Sequence, residues 1–222
     1  RMSTPVVAAR SAAQVPERDA AEQRTTAGTG APAILVLGVT GAGKSTFCNA
    51  LTSSRQFAVG TGFTSETTEL RAEAFQLLSS SSQRFTVIDT PGLADTRGVR
   101  VTDTIRQELQ SILPAVVAAV VVVPCGRITA EQQDALQEIE ELIEEAGLQD
   151  KVLVVFTHAM RATVATVRDA VQKQFSATPL GRLVKAAGPR VVVAEFSDSR
   201  SEDRVRGVVL GFVGRLAARA KL

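Results

Sequence analysis

A three-layer α/β domain, with a mostly parallel sheet of about six strands and helices on both faces, is predicted by three observations. Short β-rich runs at 33–37, 71–78, 84–89, 118–123, 152–157 and 191–196 alternate with helical stretches. Runs such as 118–123 are apolar at every position, as strands buried on both faces must be. A glycine-rich turn, Gly38 to Gly43, joins the first run directly to a helical stretch. That arrangement places a ligand at the carboxyl ends of the strands.

Taken in order, residues 1–32 mix Ala, Thr, Gly, Pro and charge without an apolar period, and are expected to form a flexible lead-in. A short docking helix around 17–24 fits within it. The domain itself is expected to fill 33–222. After the first run a helix is predicted over 44–51. The longest apolar run, 115–123, is cut by Pro114 and Pro124 and is far shorter than the roughly 20 residues that cross a bilayer. The next helix is the best specified. Thr129 and Gln132 form a capping box, Ala135, Leu136, Ile139, Leu142, Ile143 and Ala146 recur at helical spacing, and Gly147 supplies the stop. Its other face, with Glu138, Glu140, Glu141, Glu144 and Glu145, reads as solvated. A last helix carries Val205, Val208, Val209, Phe212 and Leu216 on its packed side.

Bulk properties narrow the function. The apolar fraction of 45% supplies a sizeable core, and the net charge of +2 argues against a dedicated nucleic-acid protein. Charge is uneven, because 200–222 holds six basic residues against Glu202 and Asp203. Two cysteines, Cys48 and Cys125, make no disulfide framework and suit a reducing compartment, so a cytoplasmic location, peripheral to a membrane at most, is expected.

The chemistry begins at Gly38-Val39-Thr40-Gly41-Ala42-Gly43-Lys44-Ser45-Thr46, a P-loop after an apolar strand. Its backbone N–H groups, from Thr40 through Gly41, Ala42 and Gly43 to Thr46, curl round phosphate oxygens. Lys44 adds charge at the β/γ-phosphates, and the Ser45 hydroxyl is a ligand for Mg²⁺. Val87-Ile88-Asp89-Thr90-Pro91-Gly92 follows another strand. Asp89 is placed to hold the metal shell, and the Gly92 N–H to meet a γ-phosphate. Between them, the loop 60–70 offers Thr64, Thr67 and Thr68 as the residue that senses that phosphate and binds Mg²⁺. Thr67 is preferred, though spacing leaves the three open.

Base recognition departs from the usual Asn/Thr-Lys-x-Asp after the fifth strand. Here the residues are Thr157-His158-Ala159-Met160, with the only histidine in the lysine slot and no aspartate. Glu195, in the run 191–196, is the candidate replacement carboxylate for the guanine edge. Leu93 follows Asp-Thr-Pro-Gly where a water-orienting glutamine stands in Ras-like enzymes, so intrinsic GTP hydrolysis is expected to be slow.

The P-loop, the box Cys125-Gly126-Arg127-Ile128-Thr129-Ala130-Glu131-Gln132 and the Thr157-His158-Ala159 motif resemble those of the immunity-associated (GIMAP/IAN) septin-like GTPases and the related chloroplast Toc receptors. The resemblance runs from about residue 33 to 196, departing at Met160 and Phe196. It implies a P-loop NTPase G domain with one antiparallel strand, GTP/GDP and Mg²⁺ as cofactors, and slow turnover. It also implies a homodimer or higher assembly through the nucleotide face, often with a membrane anchor outside the G domain. Arg127 is then a candidate catalytic residue acting across a dimer. Two other readings compete with a hydrolysing switch: a non-catalytic GTP-binding scaffold, which Leu93 favours, and a P-loop kinase, for which no lid-like arginine cluster is visible.

Overall fold

A computed structural model describes residues 31–57, 59, 70–76, 84–92, 107, 110–196 and 199–219. The expected lead-in, except residues 31–32, Thr64, Thr67, Thr68 and Leu93 lie outside the described residues.

Six strands form one sheet in the order β2-β3-β1-β4-β5-β6. They are β1 (Ala33–Gly38), β2 (Arg71–Gln76), β3 (Arg84–Asp89), β4 (Val116–Pro124), β5 (Val152–Thr157) and β6 (Val191–Val193). Every pairing is parallel except β2 with β3, which is antiparallel. This is the expected mixed sheet, with one antiparallel strand at its edge. Central β4 is buried along its apolar length, because both of its faces are covered.

Helix α1 (Lys44–Thr52) follows β1. Helix α2 (Ala130–Glu145) starts as its sequence predicts. The Thr129 Oγ1 accepts from the Gln132 N–H at 3.3 Å, and the Thr129 N–H donates to Gln132 Oε1 at 3.1 Å. Gly147, at φ 63°, lies in the left-handed region just past its end. Two further helices, α3 (Val164–Gln174) and α4 (Pro179–Ala187), fill the crossover from β5 to β6. The sequence reading did not resolve them as separate elements. The long α5 (Ser199–Arg219) packs along α1, while α4 packs against α2. Right-handed crossovers that run in opposite directions from the middle of the sheet put α1 on one face and α2 and α4 on the other, and α5, which follows the last strand, joins α1.

Three expectations are corrected. The last strand ends at Val193, not 196. Beyond the Ala194 N–H, which donates to the Phe156 carbonyl at 2.7 Å, β5 has only Thr157 left before His158 turns away. Glu140 is not on a solvated face. It is buried and takes a two-pronged contact from Arg182, Nε to Oε1 at 2.6 Å and Nη2 to Oε2 at 2.7 Å. The packed stripe of α5 is Val205, Val209, Leu210, Val213 and Ala217, with Val208 turned outward. The helix is rotated so that the 205–209–213 row, not Val208, meets the sheet.

Candidate functional site

The site grows from the carboxyl ends of β1 and β3. At Gly38 an added Cβ would lie 2.3 Å from the Val122 carbonyl oxygen, so only glycine lets β4 approach the start of the turn. Gly41 and Gly43, at φ 75° and 83°, bend the chain back into the first turn of α1. That curl points successive backbone N–H groups inward, with the positive end of α1 beneath them.

Lys44 is buried, and its Nζ donates to the Val39 carbonyl at 3.2 Å within the loop. Burial pulls its ammonium below the ordinary lysine pKa, and the Asp89 carboxylate opposes that shift. Ser45 Oγ donates to Asp89 Oδ2 at 2.8 Å. Asp89 is fully buried, and its Oδ1 has no hydrogen-bond partner among the described residues. Burial raises the Asp89 carboxyl above its usual range, while the Ser45 hydrogen bond and the Lys44 charge hold it down. A buried carboxylate oxygen left without a donor carries a free-energy cost that a cation would remove. The donor pair of hydroxyl and carboxylate is all oxygen, which fits Mg²⁺, an ion that takes one or two protein ligands and completes its shell with phosphate and water. Cys48, one turn further along α1, is buried with its thiol pushed well above the ordinary pKa, so it is an inert neighbour.

The segment after β3 is tied to β1 and lies against the P-loop. Thr90 Oγ1 donates to the Val36 carbonyl at 2.8 Å, which sews β3 to β1. Gly92 lies against Thr40, where an added Cβ would be 2.4 Å from Oγ1 and 2.7 Å from Cα. Thr40 Oγ1 is itself buried and unpartnered. Asp89, Gly92, Thr40 and Ser45 thus share one small volume, as their motifs require.

The end of β5 closes the other side. Thr157 is buried, and its hydroxyl donates to the Ala42 carbonyl at 2.7 Å. Its side chain is therefore occupied in fixing the P-loop. His158 is exposed at φ 52°, and its Nε2 lies 3.9 Å from where a Cβ on Gly43 would be. Met160 is 83% exposed at φ 31°, an unusual conformation for a bulky residue. Its N–H donates to Glu195 Oε2 at 2.9 Å, which brings the candidate carboxylate to the position of the missing aspartate.

Arg127 is not gathered into this cluster. It is exposed and makes no hydrogen bond among the described residues, and it helps wall an apolar groove of about 560 Å³ with Ile128, Phe156, Val171 and Phe175. Asn49 is a residue the sequence reading missed. Its Nδ2 donates to the Phe57 carbonyl at 2.8 Å and its Oδ1 accepts from the Phe57 N–H at 3.0 Å, so α1 holds the chain at the start of the loop toward 60–70. An asparagine bonded twice to one backbone residue leaves no periodic signal.

The family model for AIG1 matches residues 32–219. The chain belongs to the AIG1 family. Among solved structures, a dimerization-deficient mutant of Toc33 from Arabidopsis thaliana aligns at TM-score 0.60 with 16% identity, over 85% of this chain and 86% of that one. Toc33 in complex with Mg²⁺ and GMPPNP aligns at TM-score 0.58 and 16% identity, over 84% and 85%. A GTP-binding protein from the hyperthermophilic archaeon Sulfolobus solfataricus, in complex with GDP, gives TM-score 0.52 and 18% identity over 83% and 53%. At such identities the likeness is one of fold, and it confirms the mixed-sheet P-loop architecture. Together with the family match it makes this chain an AIG1-type G domain of the GTPase class.

Proposed function

We propose that this AIG1-family chain binds GTP with Mg²⁺, hydrolyses it slowly, and changes its self-association with nucleotide state. The observation that carries the reading is the Ser45–Asp89 pair beside the buried Lys44 ammonium, with the buried Asp89 Oδ1 unpartnered among the described residues. Such a set of charges under a P-loop is costly without a phosphate and a cation. The backbone from Thr40 to Thr46 cradles the phosphates and Lys44 supplies their counter-charge. Ser45, Asp89 and one threonine of 60–70, Thr67 by preference, hold the ion, which neutralises phosphate charge when bound. Gly92 senses the γ-phosphate. The unit is one G domain over 33–222 preceded by a lead-in.

For the base, His158 offers an imidazole face, Thr157 positions the loop, and Glu195 accepts from the guanine edge. Glu195→Ala should lower GTP-over-ATP discrimination at least about tenfold, because a carboxylate left unpaired is what rejects adenine. Glu195→Gln keeps an acceptor for the Met160 N–H but loses the charge, so it separates loop positioning from base pairing. Equal discrimination in wild type and Glu195→Ala, measured by competition binding, would misplace the base pocket.

Self-association through the nucleotide face rests on Leu93 and Arg127. Without an internal side chain to orient water, a second subunit is a natural source of transition-state charge. Arg127 is exposed and makes no hydrogen bond among the described residues, which suits a group acting in trans. Turnover per molecule should rise with protein concentration, and Arg127→Ala should flatten that rise. Light scattering that finds a monomer with GDP and with a non-hydrolysable GTP analogue alike would refute the dimer. The same sequence feature, Leu93, favours a non-catalytic scaffold as the second reading, and a phosphate-release assay that detects no turnover would select it.

A further inference from the structure

Two charged stripes lie on opposite faces of the molecule, and neither is used by the nucleotide site. On α2, Glu131, Asp134, Glu138 and Glu141 recur at spacings of three and four, so they form one line along the helix, and all four are exposed. On α5, Arg200, Arg204, Arg215 and Arg219 share the solvent arc opposite the buried 205–209–213 row, and they are likewise exposed. None of these arginines pairs with a carboxylate among the described residues. By contrast, Arg206 on the same helix is engaged with Ser53 Oγ. The middle of the arginine stripe is low. An added Cβ on Gly207 would meet nothing within 4 Å, while Arg215 lies over the Phe212 ring at 4.8 Å with its Nη1 3.7 Å from the Cβ position of Gly211.

From these placements we infer that the arginine stripe of α5 docks against the acidic stripe of α2 in a second copy of the chain, back to front. The charges are complementary, and the acidic line matches the gap between the inner arginines of the longer basic stripe. At about 1.5 Å per residue, 131–141 spans ~15 Å and 204–215 spans ~16 Å. Gly207 lets a second helix lie close to α5, while the long arginines on either side reach its carboxylates, Arg215 from its place over Phe212. Because the two stripes are on opposite faces of the sheet, one molecule cannot satisfy its own pair. Each copy offers one stripe of each sign, so the contact is heterologous and each added copy leaves a stripe free for the next. A net charge of only +2 leaves little repulsion between whole molecules to oppose it. An acidic stripe on the same chain favours a second copy over an anionic lipid surface, which would leave α2 unused. The inference does not depend on the nucleotide-face dimer, since it involves neither the P-loop nor the base loop.

The test is sedimentation of the full chain with GDP, at ~0.01 M salt, where charges act over ~30 Å, and at ~1 M, where they act over ~3 Å. Mass should at least about double at low salt and return to the monomer at high salt. Asp134→Lys with Glu138→Lys, and Arg204→Glu with Arg215→Glu, should each be monomeric at low salt. Mixed one to one, they should associate again, because each supplies the stripe the other lacks. Circular dichroism establishes that both variants are folded. A wild type that stays monomeric at low salt, variants that associate alone, or a mixture of folded variants that stays monomeric would each overturn the proposal. Flotation with phosphatidylserine vesicles that is lost only in the arginine variant, without self-association, would assign the stripe to a membrane surface instead.

Discussion

Lys44→Ala is expected to weaken triphosphate binding at least about 100-fold, equivalent to ~3 kcal/mol, the upper end for a hydrogen bond to a charged group. Among the described residues the buried ammonium donates to one neutral acceptor, the Val39 carbonyl, and burial lowers its pKa despite the nearby Asp89 charge. A phosphate anion is the partner that would offset that desolvation. Titration calorimetry with a non-hydrolysable GTP analogue reads the loss, and an unchanged affinity would remove the P-loop assignment. A second variant tests the physical cause. Lys44→Met keeps the stem and removes the charge, so the nucleotide-free protein should melt no lower than wild type. A marked fall in its melting temperature would make the lysine structural.

The parts of this architecture that were legible from residues are those whose determinants are local. Gly38, Gly41 and Gly43 sit within six positions of one another, so the turn, the preceding strand and the helix after it announce each other. The Thr129–Gln132 box and Gly147 fix α2 in the same way, through contacts three residues apart. What was not legible depends on chain segments far apart. The Thr157 side chain reads as part of a base motif, yet its hydroxyl reaches the carbonyl of Ala42 from 115 residues away. Glu140 looks like one more glutamate on a solvated face until Arg182, on another helix, folds over it.

Glu195 shows both sides of that limit. Its residue type and its place after the last apolar run were enough to nominate it. Its actual position depends on where β5 stops supplying acceptors and on the left-handed turns at His158 and Met160, which a propensity argument does not anticipate. The crossover between β5 and β6 failed for a different reason. Its two helices are short: α3 buries only Val167 and Val171, and α4 carries its apolar period, Leu180, Leu183, Val184 and Ala187, over only nine residues.

Gly92→Ala is expected to disable the γ-phosphate response while the fold survives. The new Cβ would fall 2.4 Å from Thr40 Oγ1 and 2.7 Å from Thr40 Cα. The hydroxyl can rotate, but the Cα belongs to the P-loop backbone and cannot swing aside. Either the segment after Asp89 or the P-loop must retreat, at a cost of roughly 1–3 kcal/mol for overpacking a closed contact. Thr90 still ties β3 to β1 through the Val36 carbonyl, so the sheet should hold and the displacement should stay at the site. GDP binding should then change less than binding of a non-hydrolysable GTP analogue, and single-turnover phosphate release should fall at least about tenfold, since small misplacements of positioning groups are amplified in rate. Gly207→Ala on α5 serves as the control, because its Cβ meets nothing within 4 Å and alanine stabilises an exposed helix interior by roughly 0.5–1 kcal/mol. If Gly92→Ala releases phosphate at the wild-type rate and melts like Gly207→Ala, the close approach of Gly92 to Thr40 has no part in sensing the third phosphate.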